Sequence, residues 1–152
     1  MSDITTVILA AGNSTRFKAS KSKLVYPLCG LPIVSHIFNI AKKISGKNIL
    51  VVSNEKNKEE LKLILNTSKL VIQKKQKGTA DAIEQVKKYV KSKNILILFG
   101  DTPLVEIKDI RKLVSKFKKS KAKASLIAFN TLEPHGYGLS LIHISEPTRL
   151  LA

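Results

Sequence analysis

The chain has 152 residues, 43% hydrophobic and 25% charged, which suits one globular domain and excludes a largely disordered one. Twenty-seven Lys and Arg against 11 Asp and Glu give a net charge of +16; this favours anionic partners, yet the excess is mostly lysine on predicted helix faces such as Lys116, Lys118 and Lys119, and no interleaved aromatics offer a stacking platform for specific nucleic-acid binding. Cys29 is the only cysteine, which excludes an internal disulfide and a cysteine zinc site and fits a reducing, cytoplasmic setting; the opening apolar run is too short to span a membrane, and no basic stretch precedes it as in a signal peptide.

In chain order, residues 4–10 form a β-rich run. Pro32 then opens a helix with Ile33, Ile37, Ile40, Ala41 and Ile44 on one face. A second apolar run covers 48–53, followed by a helix over 55–66 with Leu61, Ile64 and Leu65 inward. A third strand is predicted at 70–73 and a helix at 79–90 with the stripe Ala82, Ile83, Val86, Val90. A fourth strand at 94–99, a helix at 107–118 and a fifth strand at 123–130 complete the pattern. Continuous rather than alternating apolar strands indicate burial on both faces. The alternation of strand and helix therefore predicts an α/β fold, a Rossmann-like parallel sheet with helices on both faces and right-handed crossovers.

Ligands of such sheets sit beyond the carboxyl ends of the strands. The first strand runs into Leu9, Ala10, Ala11, Gly12, then Asn13, Ser14, Thr15 and Arg16. Small residues let backbone approach a ligand, successive amides can hold phosphate oxygens, and Arg16 and Lys23 add cationic groups. Alone, such a loop reads equally well as a turn. The fourth strand ends in Phe99-Gly100-Asp101, where a carboxylate can hold Mg²⁺ or cap the next turn. After the third strand, Gln73, Gly78 and Thr79 suit either a base-reading segment or a plain helix start. His36 reads as a surface or packing residue, and His135 lies in a loop. Neither G-x-G-x-x-G nor G-x-x-x-x-G-K-[ST] occurs, so neither dinucleotide nor P-loop binding is indicated.

Taken together, LAAGNSTRF, SKLVYPLCGLP, QKKQKGTADA, FGDTPL and PHGYG occur in the order and spacing of the sugar nucleotidyltransferases. Over residues 4–138 the chain is most similar to the bacterial N-acetylglucosamine-1-phosphate uridylyltransferases. The resemblance implies the nucleotide-diphospho-sugar transferase fold, C-terminally incomplete here. It also implies transfer of UMP from UTP to N-acetylglucosamine 1-phosphate with Mg²⁺, releasing pyrophosphate, for UDP-N-acetylglucosamine and hence peptidoglycan and lipopolysaccharide synthesis. By the same resemblance, Leu9, Ala10, Ala11, Gly12 and Arg16 would cradle UTP, Lys23 would neutralise its phosphates, and Gln73, Gly78 and Thr79 would hold uracil. Asp101 would bind Mg²⁺ and Gly138 would touch the sugar. No membrane partner is implied, and the oligomeric state, including a homo-oligomer of a full-length form, stays open.

Ser14 stands where the family usually has glycine, Ser22 replaces the proline before Lys23, and Phe99 replaces tyrosine. Other NTP transferases, cytidylyltransferases or molybdopterin guanylyltransferase-like proteins, are the nearest alternatives, followed by a nucleotide-binding module without catalysis. The stretch 139–149, LSLIHISEPTR, resembles the translated end of a transposase-based sequencing adaptor. The expected organisation is thus an N-terminal part of an NTP transferase domain over 1–138 and a non-native tail over 139–152, with the 152-residue chain itself inactive.

Overall fold

The computed structural model describes residues 3–12, 21–66, 69–128 and 132. Its centre is a four-stranded parallel sheet, in the order β5-β4-β1-β6. β1 (Ile4–Leu9) pairs on one side with β4 (Ile49–Ser53) and on the other with β6 (Asn94–Phe99), while β5 (Leu70–Ile72) pairs with β4. Register brings Leu9 opposite Phe99 and Ser53 opposite Ile72, so the strand ends finish along one edge.

Successive side chains of a strand face opposite ways, and both faces here are apolar. Ile4, Ile8, Ile49, Val51, Leu96 and Leu98 join one buried cluster with residues of α1 (Ile33–Ser45), α2 (Lys58–Leu65) and α4 (Ile107–Lys119). Val7, Leu50, Val52 and Val71 join a second cluster with Ala82 and Val86 of α3 (Thr79–Val86). Helices therefore cover both faces of a parallel sheet, as the continuous apolar strands predict. With α3 alone among the described elements packing on the second face, Ile95 and Phe99 of β6 remain 41% and 48% exposed.

The helices differ from expectation in detail. In α1 the buried residues are Val34, Ile37, Phe38, Ala41 and Ser45, so the inward face is rotated, and Ile33, Ile40 and Ile44 pack at its margin. The second helix starts at Lys58 because residues 54–57 form a turn. The third tightens into a 3-10 turn, Lys87–Tyr89, after Val86. A hairpin of two-residue strands, β2 (Pro27–Leu28) and β3 (Leu31–Pro32), was not expected. Its turn holds Cys29 and Gly30 at φ 48° and 81°. His36 donates from Nε2 to Leu28 O at 2.8 Å, which gives that histidine a packing role.

The expected fifth strand is corrected. Residues 123–128 form no strand, and Leu126 and Ile127 are exposed. Strand propensity reflects packing against neighbours more than an intrinsic backbone preference, and this apolar run has no partner strand among the described residues. Arg16, His135, Gly138, the end of that run at 129–130 and the tail 139–152 lie outside the described residues.

Candidate active site

A cleft of about 570 Å³ opens at the carboxyl ends of β1, β5 and β6. Its walls are Leu9 to Gly12 after β1, Lys23 and Leu24, Gln73 and Gln76 after β5, Gly78, Thr79 and Ala82 at the start of α3, and Phe99 and Asp101 after β6. Every described residue expected from sequence to bind a ligand lines this one cavity: Leu9, Ala10, Ala11, Gly12, Lys23, Gln73, Gly78, Thr79 and Asp101.

The β1 loop is held from behind. Asn57 Nδ2 donates to Ala10 O at 2.8 Å, and Asn54 Nδ2 donates to Ala11 O at 3.0 Å. The two asparagines also lock each other: Asn54 N donates to Asn57 Oδ1, and Asn57 N to Asn54 Oδ1, at 3.0 and 2.9 Å. Both are buried. In a trans peptide the carbonyl and the next amide point in opposite directions. With these carbonyls drawn to the asparagines, the amides of Ala11 and Gly12 point away from them, an arrangement that can present donors to an anion. Sequence reasoning missed Asn54 and Asn57, although the end of β4 was as good a place to look as the other strand ends.

Lys23 sits in a single 3-10 turn, Lys23–Val25. Ser22 caps this turn by accepting from Leu24 N at 3.4 Å. The Lys23 ammonium donates to Asp101 Oδ2 at 2.7 Å, and both side chains are over a third exposed. The helix after β6, α4, starts at Ile107 with Glu106 as its cap residue, so Asp101 does not cap that helix. Asp101 follows Gly100, whose amide donates to Leu9 O at 2.9 Å. A Cβ on Gly100 would stand 3.1 Å from that oxygen, so glycine is what lets the two strand tips close together.

Gln73 is buried at the cleft wall, and its Nε2 donates to Gly78 O at 3.2 Å and Asp81 Oδ2 at 2.6 Å. Gly78 has φ 107° and ψ −177°, a conformation essentially reserved for glycine. It is the cap residue of α3, and Thr79 is the first helical residue. The helix-start reading of this segment therefore holds, and the same residues line the cleft. Among the described residues, no group of three or more His, Cys, Asp or Glu is gathered for a metal. No described helix is long and apolar enough to cross a membrane.

Residues 6–146 match the family model of the MobA-like NTP transferase domain. The chain belongs to this family. It is a nucleotidyltransferase domain, and the cleft is where the family's reaction would be sought. The bifunctional protein GlmU of Buchnera aphidicola subsp. Schizaphis graminum is 43% identical over 138 residues, covering 90% of this chain and 30% of the relative. GlmU of Campylobacter fetus is 36% identical over 142 residues, covering 91% and 32%. The chain thus spans about 30% of the length of the curated relatives it matches. Among solved structures, a putative glucose-1-phosphate thymidylyltransferase of Bacillus anthracis superposes with a TM-score of 0.70 at 20% identity, over 78% of this chain and 51% of that one. This likeness shows a shared fold.

Proposed function

We propose that the cleft binds UTP with Mg²⁺ and serves uridylyl transfer to N-acetylglucosamine 1-phosphate. In that reaction an oxygen of the sugar phosphate attacks the α-phosphorus of UTP. The bond to the β-phosphate breaks, and pyrophosphate leaves. The observation that carries this reading is the convergence of a cation, a carboxylate and a buried amide on one cavity, in Lys23, Asp101 and Gln73. The similarity to GlmU proteins of several bacteria supports the choice of substrates.

Phosphoryl-group transfer asks the protein for positioning and charge neutralisation rather than covalent chemistry. Lys23 would pair with phosphate oxygens, leaving Asp101 for a cation, and Arg16 would add a second positive group. The amides of Ala11 and Gly12 would donate to the phosphates. Mg²⁺ is commonly held by one or two carboxylates plus substrate phosphates and waters. Asp101 is an oxygen donor of that kind, open to the cleft at a strand tip, so the residues present fit the ion. When bound, the ion would offset charge on the phosphates. Gln73, Gly78 and Thr79 would hold the base.

Calorimetry of UTP on the 152-residue chain, with and without Mg²⁺, tests this. Binding should strengthen with Mg²⁺, and Asp101→Ala should remove the strengthening while leaving the circular dichroism spectrum unchanged. UTP affinity that ignores Mg²⁺ in the unaltered chain would reject the metal role. Absence of binding at millimolar UTP would reject the nucleotide reading itself.

A further inference from the structure

The Gln73 amide is fully committed on one side. Its nitrogen has two hydrogens, and its two acceptors are the carbonyl of Gly78 and the carboxylate of Asp81. A backbone carbonyl and a carboxylate only accept. The orientation of this amide is therefore settled by chemistry: reversing it would set its oxygen against two acceptors in a buried place. Both acceptors are fixed in turn. Gly78 O also accepts from Ala82 N at 3.2 Å, and Asp81 stands in the first turn of α3. Since Gln73 lines the cleft, Oε1 is the atom of its head group left for a ligand.

We infer that Asp81 is a specificity-positioning residue. By holding the Gln73 nitrogen it turns Oε1 to the cleft and selects a nucleobase whose pairing edge carries a ring N–H. Uracil and guanine present that donor. Cytosine and adenine present a ring nitrogen with a lone pair at the corresponding place, which would face the lone pairs of Oε1. The inference rests on the proposed reading of the cleft as a nucleoside triphosphate site with its base at Gln73.

The test is calorimetry on the whole chain with Mg²⁺, using UTP, CTP, 3-methyl-UTP (which lacks the ring N–H) and tripolyphosphate. The unaltered chain should bind UTP about tenfold or more tighter than CTP or 3-methyl-UTP, the scale of one well-made hydrogen bond against a mismatched one. In Asp81→Ala the preference for UTP over CTP should fall by about tenfold, with tripolyphosphate affinity unchanged. A folded Asp81→Ala chain that keeps the original preference overturns the inference and leaves the nucleotide reading standing. Should that variant fail to fold, the unaltered chain decides: equal affinity for UTP and 3-methyl-UTP overturns the inference. Nucleotides that bind no better than tripolyphosphate overturn the base-reading role of Gln73 as well.

Discussion

Lys23 and Asp101 lie 78 positions apart in the chain and 2.7 Å apart in space. Their side chains are 37% and 42% exposed, and ion pairs at such exposure contribute roughly 0–1 kcal/mol. The pair is therefore cheap to open, and each member can exchange its partner for a phosphate or a cation. Lys23→Ala should lower stability by less than about 1 kcal/mol in denaturant unfolding. The same change should weaken UTP and CTP binding alike, because a point charge near phosphate does not see the base. A loss confined to UTP would place Lys23 at the base instead.

At the scale of elements, the turn between β4 and α2 decides the shape of a loop more than 40 residues earlier. Asn57→Ala would leave the Ala10 carbonyl and the Asn54 amide without their partner, in a buried place. An unsatisfied buried group costs about 1–3 kcal/mol, so with two of them the variant should be destabilised by about 2–6 kcal/mol in urea unfolding, with UTP binding weakened as well. A change within about 0.5 kcal/mol, ordinary for a surface position, would show that the loop stands without this support. The turn was not legible in the sequence, where the helical pattern was expected to begin at residue 55. Its partners, Ala10 and Ala11, are 47 and 43 positions away. The Gln73–Asp81 bond was hidden likewise, because only the folded path from β5 into α3 makes it. β4 was legible because burial on both faces leaves a nearly unbroken apolar run. The same signal misled over 123–128, where apolar residues suit a strand but find none to pair with among the described residues. The two-residue strands β2 and β3 are too short to carry any period, and backbone pairing alone defines them.

Across the whole molecule, the fold class and the line-up of the loops that wall the cleft followed from alternation of apolar runs with helical stripes. The resemblance of five separated segments brought the candidate residues together. The net charge of +16, which already counts the acidic partners of the described ion pairs, fits an anionic ligand. Two of those pairs, Lys58 with Glu55 and Lys108 with Glu106, are surface contacts whose hydrogen bonds raise the lysine pKa values.

The cleft takes its walls from the tips of β1, β5 and β6, and β5 and β6 are the two outer strands of the sheet. A ligand that touches all three tips must find them at their folded separation, so its affinity is also a brake on unfolding. UTP at a hundredfold excess over its Kd should stabilise the chain by about 2.7 kcal/mol, or about 5–11 °C in Tm for a chain of this size. Thermal melts with rising UTP would record this as a progressive shift. An unchanged Tm alongside calorimetric binding would mean that the nucleotide sits on one tip alone, or equally well on the unfolded chain.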